Sequence, residues 1–182
     1  MVQAVVFFAA SAAILRLSWR SLGAPRSHGF YRFFAFELLL ILILLNARDW
    51  FREPFSARQI VSWLLLAASV ALAIEGSRAL RLVGKPAHKA ARDANLAFEN
   101  TTTLVTVGAY RFIRHPMYTS LLALGCGACL KHPSAISVGL ALTTTGFLVA
   151  TSVAEERENL ARFGTAYAAY MKMTWRFIPF VV

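Results

Sequence analysis

The chain has 182 residues, of which 58% are apolar and only 15% charged, and it carries a formal net charge of +10. A soluble globule needs more charge than this to cover its surface, so the composition predicts one integral-membrane domain instead. The basic residues fall in the connections between apolar runs and form no single face, which argues against nucleic acid and for anionic lipid headgroups as partner.

Five apolar runs are predicted as membrane helices. The first, Val2 to Leu15, has no positive segment ahead of it and does not read as a cleaved signal peptide; it reaches spanning length by including Leu17 to Trp19. A connection with Arg16, Arg20, Arg26 and His28 leads into the second run, Phe30 to Leu45. Within it Arg32 is expected to snorkel to the interface. Glu37 lies deeper, and is either a functional intramembrane carboxylate or the acceptor of a helix-to-helix hydrogen bond. Asn46 to Gln59 places Trp50, Phe51 and Phe55 at interface depth, and the third run spans Ile60 to Ile74, closing at Glu75-Gly76. The polar stretch Ser77 to Asn100, with Arg78, Arg81, Lys85, Lys89 and Arg92, has the composition of an amphipathic segment on an anionic leaflet.

The stretch Gly108-Ala109-Tyr110-Arg111-Phe112-Ile113-Arg114-His115-Pro116-Met117-Tyr118 concentrates cations and aromatic rings at the mouth of the fourth run. Pro116 suits the first turn of a helix, and the residue before a proline is pushed toward extended geometry, which predicts His115 as N-cap of a helix over roughly Met117 to Leu130. The helix then opens with unpaired N–H groups beside Arg114, which is either a half-site for an anion or a plain headgroup anchor. Cys126 and Cys129 form a C-x-x-C inside this run. With no second cysteine pair to exchange electrons with, they are expected to pack between helices. His132-Pro133 makes a turn, and the fifth run continues from near Ser134 to about Ala154.

The last helix passes straight into Glu155-Glu156-Arg157-Glu158, with Gly164 as predicted C-cap, a short helix bearing Tyr167 and Tyr170, and a tail Trp175-Arg176-Phe177-Ile178-Pro179. Glu158 is expected to pair with Arg162 at i,i+4. With five spans, Arg48, Arg52, Arg58 and Lys131 fall on one side; Arg32 lies within a run, and every other Lys and Arg falls on the opposite side. Positive charge marks the cytoplasmic face, so the Arg-His-Pro stretch and the acidic tail are predicted to meet there, with the C-terminus cytoplasmic. The expected organisation is one domain, with three membrane helices in 1–76 and a catalytic half with two more plus a cytoplasmic helix in 77–182.

The two clusters complement each other chemically. A positive, aromatic half-site and a negative one together suit a zwitterionic ligand with a carboxylate, an ammonium, a sugar diol and a flat base. S-adenosylmethionine is such a molecule, and tyrosine faces suit its sulfonium and adenine.

Gly108-x-Tyr110-x-x-x-Arg114-His115-Pro116-Met117-Tyr118, followed by Glu155-Glu156, Phe163-Gly164, Tyr167, Tyr170 and Pro179, resembles the integral-membrane methyltransferases, among them the isoprenylcysteine carboxyl methyltransferases and phospholipid N-methyltransferases. The resemblance covers roughly Thr103 to Pro179. It implies an all-α polytopic enzyme that binds S-adenosylmethionine at the cytoplasmic face and methylates a membrane lipid or small amphiphilic acceptor. Its cofactor-binding positions map onto Tyr110, Arg114, His115, Tyr118, Glu155, Glu156 and Tyr167, and Gly125 and Gly127 fall where phospholipid methyltransferases carry a G-x-G. The candidates near the acceptor are Glu99, Arg111 and Arg176. The acceptor is expected to slide between the second and fifth helices, where Glu37 and Thr143-Thr144-Thr145 add polarity. Thr151 stands where isoprenylcysteine enzymes tend to carry an arginine, and Ser120 replaces a frequent glycine, which leaves the acceptor group open between carboxylate, amine and thiol. Membrane sterol and steroid reductases, which use NADPH, share part of the pattern and stand as one alternative; a non-enzymatic membrane scaffold stands as another. The sequence does not name the oligomeric state.

Overall fold

The computed structural model describes residues 1–84 and 101–180. Six helices follow in order: α1 (Val2–Leu22), α2 (His28–Leu45), α3 (Ala57–Leu82), α4 (Pro116–Lys131), α5 (Ala135–Phe163) and α6 (Thr165–Met173). Among the described residues there is no strand, only one isolated parallel bridge between Ile113 and Trp175. The five apolar runs thus all appear as helices. Four of them, α1, α2, α3 and α5, are long and apolar enough to cross a membrane. The fourth, α4, has 16 residues, shorter than the ~20 that a bilayer core requires, and packs along α3.

The helix ends follow local chemistry. Ser27, Ser56 and Ser134 are N-caps whose side chains accept from the N–H groups of Phe30, Gln59 and Ser137. Pro116 opens α4 behind the extended His115, and Gly164, at φ 56°, closes α5, both as predicted. α3 runs on to Leu82, beyond the expected stop at Glu75-Gly76. Lys85, Lys89, Arg92 and Glu99 lie outside the described residues.

Packing pairs α1 with α2, α2 with α5 and α3 with α4. The α2–α5 seam is filled by Phe34 stacked on Phe147 at 5.2 Å, with Ala35 and Leu148 fully buried. This seam is the route expected for the acceptor, and at this level side chains fill it. Its polar groups are also satisfied internally: the hydroxyls of Thr143, Thr144 and Thr145 donate to the carbonyls of Gly139, Leu140 and Ala141 one turn back. Glu37 accepts from Ser11 Oγ at 3.0 Å on both oxygens, so it is a helix-to-helix hydrogen bond between α2 and α1. Arg32 does not snorkel. It is 3% exposed, with its guanidinium 5.9 Å from the Phe36 ring, because α2 is covered by its neighbours at that level.

The end of α4 away from the Arg-His-Pro stretch closes on a polar knot. Lys131 Nζ donates to Gln59 Oε1 at 2.9 Å and sits 3.3 Å from the Trp63 ring centroid. Arg58 Nη1 donates to the carbonyls of Leu130 and Lys131, which the helix itself leaves unpaired. Asn46 Nδ2 donates to Ala128 O at 2.9 Å, and its Oδ1 accepts from Ser137 Oγ at 3.1 Å. Cys129 is buried beside Leu42 and Ala128, the packing role expected of it, while Cys126 is exposed; both are free thiols.

Candidate functional site

At the opposite end the chain folds back on itself. Gly108–Arg111 forms a 3₁₀ turn, opened by Gly108 at φ 61°; a Cβ there would lie 2.8 Å from Glu75 Oε1. The next residues run beside the C-terminal tail. Trp175 N–H donates to Phe112 O at 3.0 Å, Arg114 N–H to Trp175 O at 2.7 Å, and His115 N–H to Arg176 O at 3.1 Å. Thr119 Oγ1 adds a bond to Phe177 O at 3.0 Å. The Arg-His-Pro stretch is therefore clamped between the start of α4 and the tail beyond α6.

Glu156 is the hub of the charges here. It is 4% exposed, and its Oε1 accepts from Arg114 Nε at 2.8 Å and from Arg176 Nε at 3.2 Å, with His115 Nε2 at 3.4 Å. Its Oε2 accepts from Arg176 Nη2 at 2.7 Å. Arg114 also donates to the carbonyls of Met171, at 3.1 Å, and Thr174, so it caps the end of α6 and is not left facing the first turn of α4. The other nitrogen of His115, Nδ1, lies 3.6 Å from Glu155 Oε2. Both ring nitrogens thus face carboxylates, an arrangement that suits the doubly protonated ring. Burial alone would lower the His115 pKa, but Glu155 and Glu156 outweigh it and hold it above its ordinary value. Burial pushes Glu155 up; contact with His115 and the charges of His115 and His28 overcome that and bring it down to about 2.

Six of the sequence-predicted residues come together around one cleft: Tyr110, Arg114, His115, Tyr118, Glu155 and Tyr167. Tyr118 stacks on His115 with ring centroids 5.3 Å apart, and Tyr167 is almost fully buried. Leu80, Leu104, Val105 and Met117 form an apolar wall. Burial holds the Tyr167 phenol above its usual range, although a hydrogen bond with Asn159 opposes it, so the hydroxyl stays neutral.

Other predicted residues do not line this cleft. Glu156 and Arg176 sit behind it in the charged hub. Arg111 is exposed, its guanidinium 5.9 Å from the Phe112 ring. Gly125 and Gly127 lie further along α4 as close-packing positions: a Cβ on Gly127 would be 3.0 Å from Leu66 Cγ, and one on Gly125 3.3 Å from Leu39 Cδ2. Glu158 reaches across the molecule, accepting from the His28 backbone N–H at 3.0 Å with His28 Nδ1 at 2.6 Å, a partner 130 residues away in place of the expected helical neighbour. Phe163 and Tyr170, both part of the motif, also line the cleft, as do Asn159 and Thr101, which carried no expected role. Asn159 lies one turn beyond Glu155 on the same face of α5, a spacing that was readable once Glu155 was chosen.

The sequence model of the isoprenylcysteine carboxyl methyltransferase family matches residues 60–162. The chain belongs to that family. No curated protein and no solved structure matches it. The matched residues run from α3 through nearly all of α5, and so include Tyr110, Arg114, His115, Tyr118 and Glu155 on the cleft. As a member of the isoprenylcysteine carboxyl methyltransferase family with four membrane-length apolar helices, the protein is an integral-membrane methyltransferase. The reductase and scaffold alternatives gain no support. α1, α2, α6 and the tail lie outside the match.

Proposed function

We propose that this methyltransferase uses S-adenosylmethionine, held in the cleft at the cytoplasmic face, to methylate a lipid-like or small amphiphilic acceptor. The observation that carries this reading is the cleft itself. It combines an ionised carboxylate, Glu155, with walls of tyrosine and an apolar side. Glu155 suits an ammonium or a sugar hydroxyl, and the faces of Tyr110, Tyr118 and Tyr167 suit a flat base or a sulfonium. When bound, the cofactor supplies the activated methyl group. The residues of this chain then have to position two reactants in a dry site, since the charge on sulfur disperses as the methyl moves.

Leu80, Leu104, Val105 and Met117 suit an apolar acceptor chain. A neutral amine or thiol acceptor must lose a proton, and Glu99, two residues before the cleft-lining Thr101, is our candidate base for it. A carboxylate acceptor needs no base. With an amine or thiol acceptor, Glu99→Gln is expected to lower turnover with little effect on cofactor affinity.

Purified protein in detergent should be stabilised against heat by S-adenosylhomocysteine and not by NADPH. Stabilisation by NADPH alone would overturn the assignment. Membranes given methyl-labelled cofactor should carry label into the lipid phase; label confined to water-soluble products removes the lipid-like acceptor.

A further inference from the structure

The residues that line the cleft are themselves held by groups that do not. Arg176 belongs to the tail, outside the family match, and does not line the cleft. Its fork meets both oxygens of Glu156, Nε to Oε1 at 3.2 Å and Nη2 to Oε2 at 2.7 Å. That two-point contact fixes the rotation of a carboxylate that is 4% exposed. The oxygen shared with Arg176 Nε is the one that receives Arg114 Nε and faces His115 Nε2. Arg114 and His115 both reach the cleft wall. The Arg176 backbone carbonyl also accepts the His115 N–H, so side chain and main chain of one residue act on the same neighbour.

We propose that Arg176 is a positioning residue for the cofactor end of the cleft, acting through Glu156 on Arg114 and His115 without touching the acceptor. This rests on the cofactor reading above. The tail beyond α6 is thereby a working part of the site, tying the Arg-His-Pro stretch to α5. A lysine does not reproduce the fork, because an ammonium lacks the rigid planar pair of parallel donors that matches a carboxylate.

The test needs no acceptor. The affinity of the full-length protein in detergent for S-adenosylhomocysteine is measured for the wild type, Arg176→Gln, Glu156→Gln and the double variant, with unliganded melting curves to confirm folding. Loss of a charge-assisted pair should weaken Arg176→Gln by about tenfold. In the Glu156→Gln background the arginine should contribute nothing further, so the double variant should bind no worse than Glu156→Gln alone. An unchanged affinity in Arg176→Gln overturns the proposal, as do effects that multiply in the double variant, which would mean that Arg176 meets the ligand directly. If the wild type binds no S-adenosylhomocysteine, the cofactor reading itself fails and this inference with it. Should Arg176→Gln not fold, Arg176→Lys carries the test: it keeps the charge but loses the fork, and wild-type affinity in it overturns the proposal.

Discussion

Glu155 and Glu156 are neighbours in sequence but sit about 100° apart on their helix, and that rotation divides their work. Glu155 turns to the cleft, while Glu156 turns to Arg114, Arg176 and His115 behind it. On the proposed reading, the first would meet the cofactor and the second would hold the groups around it. The pair of carboxylates and His115 between them also sets a pH window. Glu155 has its pKa depressed from 4.5 to about 2, so its contribution to stability is complete above 4.5 and is lost as pH falls toward 2. His115 has its pKa raised above 6.5, so its contribution is complete below 6.5 and is lost as pH rises through the raised value. Melting temperature in detergent should therefore be highest between these limits and fall on both sides. His115→Gln should flatten the alkaline side and also weaken the acid side, because His115 holds Glu155 down; Glu155→Gln should weaken both sides and abolish neither, because Glu156 still faces His115. An alkaline fall that survives in His115→Gln would show that another group causes it.

At the scale of the element, α4 joins two different tasks. Its first turn carries His115 and Tyr118 to the cleft, and its second half is built for close approach to α2 and α3. Gly127 shows the second task, since an added Cβ meets Leu66 at 3.0 Å and the carbonyl of Ser62 at 3.2 Å. The Ser62 hydroxyl completes the contact by donating to Gly127 O at 2.7 Å. Gly127→Val should overpack this seam and destabilise the protein by about 1–3 kcal/mol, read as a lower melting temperature. A normal melting temperature with weakened S-adenosylhomocysteine binding would instead return Gly127 to the binding role its G-x-G spacing suggested. What the sequence made legible here was local: a proline after an extended histidine and a glycine after the last helical turn. What it hid was long-range. The bond of Glu158 to His28 spans 130 residues, and the choice of Glu156 over a ligand for Arg176 depends on how the tail folds back. Neither leaves a periodicity. The G-x-G failed for a related reason: small residues mark a close approach, and only the fold says whether the approaching group is a cofactor or a leucine.

For the whole molecule, the helices define two poles. The cleft, the His28–Glu158 contact and the ends of α3 and α5 lie at one. The knot of Lys131, Gln59, Trp63 and Asn46 lies at the other, and Gln3 Nε2 donates to Leu44 O there, which brings the start of α1 to the same pole. α5 has 29 residues and so is about 44 Å long, against roughly 30 Å of hydrocarbon, so its acidic end from Glu155 onward projects out of the membrane at the cleft pole. Arg20, Arg26, Arg78 and Arg81 flank that pole, whereas the knot pole holds Arg48, Arg52, Arg58 and Lys131, of which Lys131 is fully buried. From the excess of positive charge at the cleft pole we propose that it faces the cytoplasm. Reporter domains fused after Trp50, at the knot pole, and after the C-terminus, at the cleft pole, should therefore report opposite sides, with the C-terminal one cytoplasmic. On the proposed reading the orientation matters to function, because soluble cofactor would reach the cleft from that side. Reporters on the same side would mean that α3, α4 and α5 do not cross an odd number of times between them, and the cytoplasmic cofactor site would fall with that count.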